Sequence, residues 1–386
     1  MCLKIAPFGA IFNSSTCPKK KLPCMSSERK MEDRIELAGL TPEEINEKLG
    51  FSQKFRGSQI FQWIGRGAES FDEMTNLSVA LRQELSEKAV LRSSSVSQVL
   101  RDSDGTIKLQ ITLKDGLAVE TVLLTDREDR KTACVSCQVG CAMNCAFCQT
   151  GHLGLARNLD AGEIVEQFLF LEKHAGPLDN IVFMGMGEPM MNLPNVRKAI
   201  SVLTDSRGRA LSGRRITVST SGVIKGIYDV ADNGPAIRLA VSLTTADPEF
   251  REKLMPIGRT NPLSELRKAI SYFTEKTGKR VTLEAALLHE KNTGEESARN
   301  MVEFAKGLDV HINLIPWNPV GGLPFEEPTS AECRSFVSIL ERNGLNVTLR
   351  TRRGREIGGA CGQLGKTLAS SQGNGKKLES EFDEEP

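Results

Sequence analysis

Half of the chain's ten cysteines fall in one stretch, CVSCQVGCAMNCAFCQTG, running from Cys134 to Gly151. Within it Cys141, Cys145 and Cys148 are spaced C-x3-C-x2-C. Thiols held this close strain any bridge between them, yet together they can wrap a cubane iron–sulfur cluster. A [4Fe–4S] cluster with three protein ligands leaves one iron open, and an open metal position binds a substrate, as the vacant site of a catalytic zinc does. The alternative for the same residues is a structural zinc with His152 as fourth ligand, although the paired CxxC knuckles usual for such a site are absent. Cys134, which opens the stretch, and Cys361 in GGACGQL stand among small neighbours; read alone, each is a buried packing residue.

Such side chains need a scaffold, and the surrounding sequence has its pattern. After the cysteine stretch, apolar runs (NIVFMG, RRITVST, IRLAVSL, RVTLEAALL, HINLIPW, NVTLRT) alternate with segments of helical periodicity, such as AGEIVEQFLFLEKH and LSELRKAISYFTEK. The alternation predicts an α/β fold, a parallel sheet covered by helices and closed or partly closed as a (βα) barrel. In such barrels the site lies at the C-terminal strand ends, which gathers MGMGEP, STSG, SLTTADP and PWNP around one mouth. Ahead of the cysteines, LTPEEINEKLG, GSQIFQWIGRG and NLSVALRQELSEKA predict a small helical module over about 35–87. KLQITL and AVETVLL, with turn signals at DSDG and KDG, predict a short β-hairpin or small sheet.

The composition, 39% hydrophobic and 26% charged, is that of a soluble globular protein. A net charge of +1 supplies no bulk attraction to nucleic acid or membrane. No apolar run approaches the roughly 20 residues that span a bilayer, so no membrane partner is expected. Clustered rather than spread cysteines read as metal binding in a reducing compartment. The first 27 residues hold no acid and several Ser and Lys; they read as a disordered extension or an organelle transit segment. The polar, acidic ASSQGNGKKLESEFDEEP reads as a disordered tail.

CVSCQVGCAMNCAFCQTG, MGMGEPMMNLPNV, RRITVSTSG, INLIPWNP and RTRRGREIGGACGQL together resemble the RlmN/Cfr family of radical S-adenosylmethionine (SAM) RNA adenosine methyltransferases, and FRGSQIFQWI and SFDEMTNLSVALRQEL resemble its accessory domain. The resemblance covers roughly residues 35–365. It implies a partial (βα) barrel of the radical SAM type. The expected division is an extension or targeting segment over 1–34, a helical RNA-binding accessory domain over 35–95, a radical SAM core with β-hairpin lead-in over 96–365, and an acidic tail over 366–386.

The resemblance also implies chemistry. Carbon 2 of adenine is too electron-poor to attack a sulfonium methyl, so the methyl goes first to a cysteine, here Cys361. A second SAM, cleaved reductively at the open iron, yields a radical that takes hydrogen from that methyl; the carbon adds to the base, and a second cysteine, Cys134, resolves the adduct by forming a disulfide. Cys141, Cys145 and Cys148 match the cluster ligands. Gly187, Glu188, Ser219, Ser242, Leu243, Thr244 and Asn318 match the SAM site, and Glu120 matches a proton acceptor. Two positions depart from the pattern: Cys137 stands where Ser is usual, and Thr244 where the family's SLHAP has His. Cys2, Cys17, Cys24 and Cys333 have no motif around them. The basic run at Arg350–Arg355 reads as RNA-phosphate contact. The implied partners are rRNA or tRNA and an electron donor such as flavodoxin or ferredoxin. The location is cytoplasmic, or plastid or mitochondrion if the extension is a transit segment. Carbon-8 methylation and a non-catalytic iron–sulfur RNA-binding protein are the rival readings.

Overall fold

The computed structural model describes residues 34–365. The expected extension, apart from Arg34, the expected tail, and Cys2, Cys17 and Cys24 lie outside the described residues. β1 (Ile35–Glu36) leads into α1 (Pro42–Leu49). There Thr41 Oγ1 accepts from the Glu44 N–H at 3.4 Å, and the Glu44 carboxylate accepts from the Thr41 N–H at 2.7 Å. This reciprocal box satisfies two amides that a helix start leaves unpaired. α2 (Phe55–Gly65), α3 (Val79–Lys88) and β2 (Ala89–Val90), parallel to β1, complete the module.

The chain then builds one sheet of ten strands. β3 (Ser95–Arg101), β4 (Ile107–Thr112), β5 (Ala118–Thr125) and β6 (Lys131–Cys134) are successive antiparallel neighbours. β7 (Gln138–Gly140) leaves the sheet, and after the cysteine loop and α4 (Gln149–His152) it pairs with β8 (Leu155–Asn158). The repeating part follows: α5 (Ala161–Ala175), β9 (Asn180–Phe183), α6 (Leu193–Thr204), β10 (Ile216–Thr220), α7 (Ile224–Asn233), β11 (Arg238–Ser242), α8 (Pro248–Leu254) and α9 (Leu263–Thr277). β12 (Val281–Leu287), α10 (Glu295–Ala305), β13 (Val310–Pro316), α11 (Ser330–Arg342) and β14 (Val347–Leu349) end it. The order across the sheet is β14-β13-β12-β11-β10-β9-β6-β5-β4-β3. β6 and β9 to β14 are therefore all parallel, with helices in the crossovers, and because β14 and β3 do not pair the barrel is open.

The α/β partial barrel is the expected one, with a difference at its edge. The predicted hairpin is no separate lead-in: β3, β4 and β5 continue the main sheet through β6. Three helices, α4, α7 and α8, fall outside the helical segments read from the sequence; α4 and α8, at 4 and 7 residues, are too short to show helical periodicity.

The helical module packs on the outer helices of the barrel. A Cβ on Gly39 would lie 2.5 Å from the Gly162 amide at the start of α5, and one on Gly208 would lie 2.5 Å from the Phe61 ring. Around these close approaches Glu43 pairs with Arg207 and Glu44 with Lys198. The linker is tied down by Glu166 of α5, whose buried carboxylate accepts from the Ser93 N–H at 2.7 Å and the Ser94 N–H at 2.9 Å.

Candidate active site

β6, the first parallel strand, ends at Cys134, and the chain turns through β7 into the loop holding Cys141, Cys145 and Cys148. That loop has little regular structure and is fixed by its neighbours. The Cys141 N–H donates to Gly154 O at 2.8 Å, the Ala146 N–H to Leu254 O at 2.8 Å, and the Trp317 indole N–H to Phe147 O at 2.9 Å. A separate apolar cluster of Leu254, Met255, Leu288, Trp317, Val320 and Phe325 backs it.

The three cysteines line a cavity of about 180 Å³ with Gly187, Glu188, Ser219, Ser242, Thr244 and Asn318. Gly187 has φ +102°, and a Cβ there would stand 2.6 Å from Gln138 Cβ, so only glycine fits this strand-end turn. Glu188 is buried, and burial pushes its carboxyl up against the opposing Ser221 and Met190 amides, which donate to it at 2.7 and 3.0 Å. Thr244 holds φ +60°, a strained position for a β-branched residue. Leu243 does not face the cavity; its side chain is fully buried in the core and its N–H donates to Glu284 O at 2.8 Å.

A larger cavity of about 480 Å³ adjoins this one and is lined by Cys134, Arg350 and Arg352 among others. Met184, Ile315, Asn318 and Cys361 line both cavities, so Cys361 faces the cluster cysteines on one side and Cys134 on the other. Burial pushes the Cys134 thiol up to about 12, and the neighbouring Cys361 adds to the rise. Burial also raises the Cys361 thiol; the Arg350 guanidinium opposes this and the Glu284 carboxylate reinforces it. Both residues were missed as site residues. Arg350 had been counted with the basic run, and Glu284 is the one acid inside an otherwise apolar parallel strand, a signal that marks a buried charge.

Other expectations meet corrections. All seven described cysteines are free thiols, so the disulfide implied between Cys134 and Cys361 is not formed here. Cys137 is buried beside Met186 and Asn192 and lines neither cavity, so it has no access to an exchange between those thiols. Cys333 packs in the core. The basic run is anchored by its neighbours, Arg352 and Arg355 pairing with Glu327 and Arg353 donating to Asp104 O at 3.2 Å, while Arg350, Arg352 and Arg353 line the larger cavity and Arg355 is exposed. Glu120, the expected proton acceptor, is no solvated edge residue. It is fully buried, pairs with Lys108 at 3.1 Å and lines neither cavity.

The residues fit a cluster with a bound cosubstrate better than a zinc. His152 Nε2 is 3.0 Å from Ala146 O rather than among the thiols, and among the described residues no three His, Cys, Asp or Glu side chains converge on a single-ion position. Beside the thiols, Asn318 Oδ1 is buried without a partner, and Asn318 lines the smaller cavity. An orphaned polar atom of this kind calls for a polar ligand. Among the described residues no helix is long and apolar enough to cross a membrane.

Comparison with known proteins agrees with this geometry. The Radical SAM superfamily profile matches residues 135–304, and that of the Ribosomal RNA large subunit methyltransferase N-terminal domain matches 35–91. A probable dual-specificity RNA methyltransferase RlmN of Treponema denticola is 59% identical over 335 residues, 87% of this chain and 96% of that protein. One from Thermus thermophilus is 41% identical over 330 residues, 84% of this chain and 91% of its own. The crystal structure of a radical SAM methyltransferase from Sphaerobacter thermophilus superposes with a TM-score of 0.82 at 39% identity, covering 86% of this chain and 99% of that one.

Proposed function

The chain belongs to the RlmN family of radical SAM RNA methyltransferases, and from that premise we propose that it methylates carbon 2 of adenosine in large-subunit rRNA, tRNA or both. In this reading Cys361 carries the methyl and two SAM molecules are used per turnover. The observation behind it is the position of Cys361, the one thiol among the described residues shared by the cavity of the cluster cysteines and the cavity of Cys134.

Cys141, Cys145 and Cys148 would hold a [4Fe–4S] cluster, and Glu188, Ser219, Ser221, Ser242, Thr244 and Asn318 would hold SAM. When bound, the cluster supplies the electron for reductive SAM cleavage. The chain's own residues do the rest. Cys361 Sγ accepts the methyl, and once that methyl has lost a hydrogen its carbon bonds to carbon 2 of the base, which gives up its own proton. The Cys134 thiolate then attacks Cys361 Sγ, forming a disulfide as the Cys361 S–C bond breaks, and the electron pair left on the carbon takes a proton to complete the product methyl. The larger cavity takes the base, and the apolar cluster behind the cysteine loop, through Met255 and Trp317, walls the smaller cavity. The module over 35–95 serves as the RNA-binding accessory domain of the core over 96–365.

Anaerobic reconstitution followed by turnover tests this. Total rRNA and tRNA are incubated with SAM and a reductant, and the nucleosides are read by mass spectrometry against 2- and 8-methyladenosine standards. The 2-methyl product is expected; an 8-methyl product moves the protein to the rival regiochemistry, and SAM cleavage without methyladenosine overturns the reading.

A further inference from the structure

The segment that carries Cys361 has no secondary structure, yet its thiol must serve two cavities in turn. What holds it is a pair of charged side chains with no access to either cavity. Lys108 on β4 and Glu120 on β5 are diagonal neighbours across an antiparallel pair, 3% and 0% exposed. Lys108 Nζ donates to Glu120 Oε1 at 3.1 Å and to Gly358 O at 3.2 Å; Glu120 Oε2 accepts from the Gly365 N–H at 2.7 Å. The pair thus grips residue 358 on one side of Cys361 and residue 365 on the other, about 250 residues away in sequence. Between these grips the segment meets the cysteine loop and the β13 end. Gln149 N–H donates to Gly362 O at 2.8 Å, Thr150 Oγ1 to Leu364 O at 2.7 Å, and Asn318 Nδ2 to Cys361 O at 3.2 Å.

We infer that Lys108 and Glu120 are a positioning latch for the Cys361 segment, and that Glu120 is not a proton acceptor in the reaction. The inference rests on the reading of Cys361 as methyl carrier. A proton acceptor needs hydrogen-bond reach to the atom it serves, and Glu120 lines neither cavity, its two oxygens turned to Lys108 and the Gly365 amide. A buried ion pair contributes little net stability compared with an apolar pair, but removing one partner is costly. Its retention is explained by what it positions: one cation and one anion hold an acceptor and a donor that two apolar residues could not.

The test uses the reconstituted full-length protein and the variants Glu120→Gln, Lys108→Met and the neutral double variant. Three quantities are read: hydrogen exchange of 358–365, methyl occupancy of Cys361 by mass spectrometry after incubation with SAM, and cluster content. In each single variant a latch predicts exchange of 358–365 faster on the order of tenfold. Methyl occupancy falls by roughly tenfold or more, with cluster content unchanged. The double variant leaves no unpaired buried charge but still lacks the Lys108 donor to Gly358 O, so faster exchange and lower methyl occupancy persist in it. A proton acceptor predicts the opposite split. Glu120→Gln and the double variant would both keep loop protection and methyl-Cys361 and stall as a covalent protein–RNA adduct, and that result overturns the inference. Should the single variants fail to fold, the double variant separates the two outcomes alone. If wild-type Cys361 takes no methyl, the methyl-carrier reading falls, while the exchange data still decide whether the pair latches the segment.

Discussion

Cys361 and Cys134 differ in what each can lose. Cys361→Ala removes the only thiol among the described residues that faces both cavities, while the cluster cysteines keep their loop contacts, so cluster content should stay at the wild-type level and methylation should fall below detection. Cys134→Ala should instead accumulate a covalent protein–RNA adduct, visible as a slow band that disappears with nuclease. Turnover at the normal rate in either variant would sink the two-cysteine scheme. Around these thiols Arg350 and Glu284 act with opposite sign on Cys361. Arg350→Gln should move the pH profile of Cys361 alkylation upward, so that iodoacetamide reacts about tenfold more slowly at pH 8. Glu284→Gln should move it downward; shifts of the same sign in both would mean that the site has merely loosened. The cysteines were legible in the sequence because C-x3-C-x2-C is a local spacing and the family words flank the others. Arg350 and Glu284 were not, because only strand register brings residues so far apart in sequence to opposite sides of one thiol, Arg350 lining the larger cavity and Glu284 the smaller.

Among the elements, α5 does the most joining. It is buried on nearly every face, and the Asp160–Glu163 capping box starts it firmly. Its Glu166 accepts both linker amides, and removing the side chain leaves two half-buried N–H groups unpaired. Glu166→Ala should therefore destabilise the protein by about 2–4 kcal/mol in urea unfolding. Burial raises the Glu166 carboxyl from an ordinary 4.5 to about 7, outweighing the Ser94 and Ser93 donors. The folded state then holds a proton that the unfolded state has released, so this contribution is complete below pH 4.5 and is lost as pH rises through 7. Relative to Glu166→Gln, the wild type should lose stability between pH 5 and pH 8, by an amount on the order of 2–3 kcal/mol; a pH-independent difference would show that the donors dominate. The helices with clear caps, α1 and α5, were readable from sequence. The edge role of β3 to β5 was not, because a hairpin pattern says nothing about what its outer strand joins.

At the scale of the molecule, backbone approach rather than charge seats the accessory module. Gly39 against Gly162 leaves no room for a methyl group, whereas the Glu43–Arg207 pair is largely exposed and contributes at most about 1 kcal/mol. Gly39→Ala should speed protease cleavage in the 91–95 linker several-fold through a cost of about 1–3 kcal/mol, and Glu43→Gln should leave it unchanged. The α/β class and the alternation of strands and helices were legible because buried parallel strands write themselves as apolar runs. The anchoring of the basic run at the larger cavity was not, since Glu327 and Asp104 meet it only in three dimensions. The sheet order has a consequence for the protein's manufacture. From β9 onward each parallel strand adds at the edge left by its predecessor, so a chain growing from the ribosome can assemble the barrel in the order of translation. The cysteine loop emerges early and Cys361 emerges beyond the last strand. A product released before residue 361 can present the cluster cysteines but has nothing on which to carry a methyl, so incomplete synthesis yields a protein that cannot mark RNA.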